Sequence, residues 1–360
     1  MSKKWTILFF AFVLVIQAKA DSLQIPASIT VSGYLEPYFS YDFAEPENHI
    51  RQPFLYSYNR HNEVNLNLGL VKLGYQKDKV RGNFGLMAGT YSNDNLAAEQ
   101  GVMRNVYEAN VGVKIGSKRN TWIDAGVFSS HIGFESAIGK DCWNLTRSLL
   151  ADNSPYYESG VKLSHTSENG KWYLGFLVLN GWQRISRPVG QNNPCFGHQI
   201  TFTPNKKITI NSSSFIGSDK PDSSHQMRYF HNFYAILKLN DHLGFIAGFD
   251  IGAEEKLHSN SKYNLWYSPV VIARYAMDEK HMVAARAEYY HDDAGVIINT
   301  GQNARFMSWG YSINFDYAIE ENMLWRIEAR TFVGEDAIFV LDNQSAKENY
   351  FLTSSFCLSF

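Results

Sequence analysis

The residues able to do chemistry in this chain are charges set at alternate positions within otherwise apolar segments. Arg326, Glu328 and Arg330 alternate with Trp325, Ile327 and Ala329, and Arg286 and Glu288 alternate with Ala285, Ala287 and Tyr289. A spacing of two puts side chains on one face of a strand, so each segment carries a charged face and an apolar face. Both signs share the polar face. Such groups can hold ions and orient polar solutes if water reaches them.

Catalytic arrangements are the competing reading. Ser129, Ser130, His131, Glu135, Asp222, His225 and His231 are the nucleophile and base candidates, and none has a spacing with mechanical content. His131 and Glu135 form HxxxE, which is not a zinc signature. Asp292-Asp293 could meet calcium, although an acidic turn in solvent explains it as well. No catalytic residue, metal site or cofactor is expected, and the chain is not read as an enzyme. Cys142, Cys195 and Cys357 are too few for a disulfide framework, and no CxxC occurs. Cys142 and Cys195 both fall in segments read as loops, where a bridge and two free thiols are equally open.

The elements that must position these charges are strands. From Trp309, odd positions read Trp, Tyr, Ile, Phe, Tyr, Ile while even ones from Ser308 read Ser, Gly, Ser, Asn, Asp, Ala. From Leu243 one face holds Leu243, Phe245, Ala247, Phe249 and Ile251, against Gly244, Gly248, Asp250 and Gly252. No charge lands on the apolar face of these segments, as contact with lipid demands. Short polar turns at 77–79, 117–120, 167–170, 204–207, 240–242, 278–280 and 320–322 alternate with longer stretches at 44–59, 92–103, 131–154, 182–196, 217–226, 255–262, 291–304 and 334–347. Seven short turns and eight long loops require sixteen strands with both termini on the short-turn side. The fold expected is all-β: a transmembrane, antiparallel, up-and-down β-barrel of about 16 strands. Leu70-Val71-Lys72-Leu73 breaks phase and suggests a bulge.

The ends and the composition agree. Lys3 and Lys4, an apolar run from Trp5 to Ile16 and Ala18-Lys19-Ala20 read as a signal peptide over 1–20, leaving a barrel domain over 21–360. Aromatic residues make up 15% of the chain and charged residues only 19%. Trp122, Trp172 and Trp325 lie just after short turns and Tyr75, Phe202, Tyr275 and Tyr317 just before them, the heights of an interfacial girdle. Tyr350, Leu352, Ser354, Phe356, Leu358 and Phe360 alternate to a terminal Phe, similar to the signal read by the outer-membrane insertion machinery. A net charge of −2 gives no reason to expect nucleic acid as a partner.

Between about Asn59 and Gly181 the chain resembles the OmpL-like β-barrel porin family of Bacteroidetes-type outer-membrane porins. The matching segments are HNEVN from His61, YEAN from Tyr107, AGVF from Ala125, HIGFE from His131, NLTRS from Asn144 and ESGV from Glu158. The resemblance implies a bacterial outer-membrane barrel with pore function and no established substrate.

The function expected is thus a porin whose aqueous channel passes small hydrophilic solutes by passive diffusion. The alternative is a non-conducting structural or adhesive barrel whose loops bind a partner. Asp124, Glu135, Asp141, Arg286, Glu288, Arg326, Glu328 and Arg330 are the expected pore-lining residues. The 131–154 loop has two readings: it folds inward, its carboxylates facing Arg286, Arg326 and Arg330 across a constriction, or it lies over the mouth with those charges solvated. Membrane lipid is the surrounding partner, and the assembly state is left open between monomer and homotrimer.

Overall fold

A computed structural model describes residues 26, 28–116, 119–224, 226–257, 262–300, 305–341 and 344–360. The signal-peptide segment 1–20 lies outside the described residues.

Sixteen antiparallel strands close into one barrel. The first half comprises β1 (Ile29–Asp42), β2 (Val64–Lys77), β3 (Val80–Ala88), β4 (Val106–Lys114), β5 (Asn120–Ser129), β6 (Tyr157–Thr166), β7 (Trp172–Leu179) and β8 (Cys195–Asn205). The second half comprises β9 (Ile208–Gly217), β10 (Arg228–Lys238), β11 (Leu243–Glu255), β12 (Tyr263–Ala276), β13 (His281–Asp292), β14 (Phe306–Glu320), β15 (Met323–Gly334) and β18 (Glu348–Ser359). A small hairpin, β16 (Phe339–Leu341) and β17 (Gln344–Ala346), sits in the last long loop. Each strand pairs with its sequence neighbour, and β1 closes on β18 with Tyr34 opposite Ser359 and Asp42 opposite Phe351. Closure leaves no unpaired edge, which is what a sheet in lipid requires.

Among the described residues the short connections are the expected ones; residues 117 and 118 of the 117–120 turn lie outside them. Asp78 takes the left-handed conformation in the β2–β3 turn, as Asp tolerates. Trp309, Tyr311, Ile313, Phe249 and Ile251 are exposed on the outer wall, while Asp250, Asn314, Asp316 and Arg326 point inward and are buried. Trp172 stacks on Phe202 near the short-turn end at 4.2 Å between ring centroids. The ring of Phe360 lies against Gly33, where a Cβ would collide with it, and the two residues exchange backbone bonds of 2.7 and 3.0 Å.

Two expectations change. Register is unbroken through Leu70–Leu73, and the shift lies opposite Glu36 and Pro37, where proline has no N–H for the ladder. Leu70 breaks phase because it points inward, into an apolar cluster with Tyr34, Leu68, Met87 and Tyr91. Trp122 is not a girdle residue. It faces the lumen, 6% exposed, beneath the Arg81 guanidinium at 4.2 Å.

The candidate pore and its third loop

The charged faces of β13–β15 and the loop between β5 and β6 meet in the barrel interior. The loop leaves the wall at His131, whose Nδ1 lies 2.8 Å from Glu158 Oε2 and whose Nε2 lies 2.8 Å from the Ser214 carbonyl. Both ring nitrogens face oxygen acceptors, and only the protonated ring satisfies both. Burial opposes that charge, but the Glu158 carboxylate and the two bonds outweigh it and raise the His131 pKa.

The descending arm passes β10 and β11. Gly133 N donates to Asn232 Oδ1 at 3.2 Å, and Phe134 meets Tyr234 edge-on at 5.6 Å. The tip reaches the short-turn end. There Lys140 Nζ donates to the Glu321 carbonyl (3.2 Å) and Ser359 Oγ (2.7 Å). The loop climbs back along β14, β15 and β13. Leu145 N donates to Asn314 Oδ1 (3.0 Å), Thr146 N and Oγ1 to the Glu328 carboxylate (2.6 and 2.9 Å), and Leu149 N to Glu288 Oε2 (2.6 Å). Ser148 Oγ caps a single helical turn, Leu149–Asp152, accepting from Ala151 N.

The wall arginines hold this arm. Arg326 donates to the carbonyls of Gly139 (2.6 Å), Cys142 (3.0 Å) and Trp143 (3.2 Å) while paired with Asp316 at 2.7 Å. Arg330 reaches the Arg147 carbonyl at 2.8 Å and Glu288 at 2.5 Å, and Arg286 reaches the Thr146 carbonyl at 2.7 Å and Glu328 at 3.0 Å. The side chains of Arg286, Glu288, Glu328 and Arg330 have 0% exposure. A guanidinium offers five donors in a fork, so one group serves a carboxylate and several carbonyls together.

This differs from the expected gap between loop carboxylates and wall arginines. The arginines bond mainly to wall carboxylates and loop carbonyls. Of the loop carboxylates, Glu135 approaches one, lying 3.9 Å from Arg286 while accepting from Ser148 N at 3.0 Å. Asp152 is buried with Oδ1 unpartnered, and desolvation pushes its pKa up to about 8. Asp141 is exposed at the tip, and Asp124 on β5 pairs with Arg81 at 2.5 Å.

Some roles escaped the sequence reading. Arg147 donates inside the loop to the carbonyls of Ser136 (2.7 Å), Leu145 (2.7 Å) and Ala137 (3.1 Å), stapling its two arms together. The first loop also turns inward. Tyr58 OH donates to Glu36 Oε1 at 2.7 Å, and Phe54 packs on Phe306 and Phe332.

Open space remains on the opposite wall. A polar cavity of about 550 Å³ is lined from β1–β7 by residues including Lys72, Arg81, Glu108, Asp124 and Lys162. A narrower one of about 200 Å³ lies between the arms of the loop and Tyr107, and a third of about 230 Å³ opens among the long loops by Asp152, Arg184 and Arg228. Ser129 borders the first and second, and Ser154 the second and third. Tyr107 points inward because it is the extra residue of a bulge, Gly85 pairing with Glu108 and Leu86 with Val106.

The remaining chemical candidates have structural partners. Ser129 Oγ donates to Glu108 Oε1 at 2.9 Å, Ser130 Oγ accepts from Ile132 N at 3.1 Å, and Asp222 is bonded to Asn192. Asp292 accepts the backbone N–H groups of Val296, Ile297 and Ile298 at 2.7–2.9 Å, so it shapes the turn. His231 Nε2 lies 3.4 Å from Ser212 Oγ on the outer wall, and His225 is outside the described residues. Cys142, Cys195 and Cys357 are buried free thiols, so Cys142 and Cys195 form no bridge here.

Comparison with solved structures finds porins at low identity. An anion-selective porin from Comamonas acidovorans aligns with a TM-score of 0.62 at 9% identity, covering 92% of this chain and 99% of that one. The outer-membrane channel DcaP of Acinetobacter baumannii gives 0.61 at 10%, covering 92% and 97%. In-vitro folded OmpT of Vibrio cholerae, in its trimer form, gives 0.58 at 10%, covering 92% and 99%. At these identities the likeness speaks for the fold. No curated protein sequence matches. The family described as "Putative beta-barrel porin-2, OmpL-like" matches residues 28–360, nearly the whole described barrel. The chain belongs to that family and is a channel-forming porin of the bacterial outer membrane, not an enzyme.

Proposed function

We propose that small hydrophilic solutes diffuse passively along the β3–β7 side of the lumen while the third loop is clamped to β13–β15. The observation that carries this is a series of three neighbouring cavities, Ser129 lining the first two and Ser154 the last two. On this reading Asp124, in the cavity lining, and Asp141, exposed at the loop tip, contact the permeating solution, while the Glu135 side chain is buried within the loop. Arg286, Glu288, Arg326, Glu328 and Arg330 fix the loop that sets the bore. Because the loop and the first loop fill the rest of the interior, only small solutes pass. Carbonyl and carboxylate groups around the route favour hydrated polar molecules over apolar ones.

Liposome swelling with sugars of increasing size tests the reading. Swelling that falls steeply from a monosaccharide to a trisaccharide supports it, and none with any sugar in correctly folded protein overturns it.

Residues 1–20 are assigned as an export signal cleaved after Ala20, so the mature chain should begin at Asp21. Insertion by the outer-membrane assembly machinery fits the apolar last strand ending at Phe360. A homotrimer is favoured by the trimer form of the structurally similar OmpT. Light scattering of the detergent complex, corrected for bound detergent, decides between one and three copies.

A further inference from the structure

We propose that the cavity at the short-turn end of the lumen binds small hydroxylated monocarboxylates, with Lys162 as the anion contact. The inference rests on the reading of this cavity as part of a water-filled route, and it adds a ligand class to it.

Charge in the cavity is almost balanced. Lys72 pairs with Glu108 at 2.8 Å and Arg81 with Asp124 at 2.5 Å. Lys162, on β6, has no carboxylate within ion-pair distance among the described residues. Its Nζ lies 4.5 Å from the centre of the Phe128 ring, which supports the ammonium without neutralising it. Three cations against two carboxylates leave one positive charge for a solute.

The rest of the lining suits a polyhydroxy molecule. Thr30, Asn83, Asn110, Ser164, Thr166 and Tyr173 supply hydroxyls and amides on five strands. Amides and hydroxyls both donate and accept, which matches vicinal hydroxyl groups better than an inorganic anion. Space is kept by Gly112, whose inward Cβ would collide with the Asp124 carboxylate. About 550 Å³ holds one six-carbon solute with water, not an extended polymer. The requirement for one negative charge follows from the single uncompensated cation, since a dicarboxylate would place its second charge by Glu108 or Asp124.

The test is equilibrium binding of radiolabelled gluconate to the refolded barrel in detergent, with glucose and glucosamine as same-size neutral and cationic comparisons. Gluconate should be retained at least tenfold more tightly than glucose, and Lys162→Gln should abolish that preference while Lys162→Arg keeps it. Equal retention of gluconate and glucose, or a preference unchanged in Lys162→Gln, overturns the proposal. If Lys162→Gln does not fold, the wild-type comparison and Lys162→Arg still decide. Conductance in potassium chloride is read separately. A barrel that conducts without preferring gluconate refutes this site and leaves the channel reading standing, and a barrel that binds gluconate without conducting does the reverse.

Discussion

Substituting Glu328 by Gln should release the third loop from the wall without unfolding the barrel. Glu328 accepts Thr146 N at 2.6 Å, Thr146 Oγ1 at 2.9 Å and Arg286 Nη2 at 3.0 Å, all without exposure to water. Glutamine keeps the shape but replaces one acceptor with a donor, so an amide N–H must face either a backbone N–H or a guanidinium. It also removes one of the three carboxylates beside Arg286, leaving Glu288 at 3.2 Å and Glu135 at 3.9 Å. Breaking a buried pair costs roughly 3–5 kcal/mol, and the remaining carboxylates place this case near about 3. At about 1.4 kcal/mol per factor of ten, the ratio of docked to released loop falls about a hundredfold. The β14–β15 and β15–β18 ladders do not involve the Glu328 side chain, so the wall stays closed. The assay is single-channel conductance in planar bilayers, together with trypsin digestion at Lys140 and Arg147 in the loop. Larger, noisier steps and new cleavage at these two sites are expected, with heat-shifted gel mobility preserved. Wild-type conductance together with full trypsin resistance would refute the clamp.

Asp152 supplies a pH dependence. Its pKa is raised to about 8, so the native state keeps a proton that the unfolded chain releases near pH ~4. Its stabilising contribution is therefore complete below that lower value and is lost as pH rises through about 8. Urea midpoints of the wild type should fall between about pH 5 and 9, and Asp152→Asn should flatten the slope; an identical slope in the variant counts against it. Ile313→Arg, in the middle of the outer face of β14, should cost roughly 2–4 kcal/mol of folding free energy in bilayers, and a change below about 0.5 would argue that this face does not meet lipid. Gly112→Ala should displace the Asp124 carboxylate, breaking its pair with Arg81 and altering the reversal potential in a salt gradient. Arg147→Ala should uncouple the arms of the third loop and raise trypsin sensitivity at Lys140 at least tenfold, whereas unchanged digestion would show that the three carbonyl contacts are dispensable.

The wall was legible because it has lipid on one side and polar contents on the other, so the sequence of β14 alternates Trp309, Tyr311, Ile313 with Ser312, Asn314, Asp316. Parity also contained the answer for Trp122, since it shares a face with Asp124 two residues on, and an inward Asp124 requires an inward Trp122. Turn proximity misled there. The interior was less legible. A packed loop has no period, so Leu145, Leu149 and Leu150 look like any connection until they are found buried. Their apolar character was the available signal, because a loop lying in solvent gains nothing from three leucines in six residues. The arginines on β13 and β15 were placed on the correct face by spacing alone. That they bond to loop carbonyls rather than to loop carboxylates depends on long-range backbone geometry that no local pattern encodes.

The most direct test of the route is chemical block at a residue that lines two of its cavities. In a background with the three native cysteines replaced, Ser129→Cys lies in the lining of two cavities, and Ser312→Cys lies behind the clamped loop at the position bonded to Asn144. A bulky anionic thiol reagent applied during recording should cut the conductance of the first and leave the second unchanged. Equal block of both, or block at Ser312→Cys alone, would place the water path on the other wall and contradict the account.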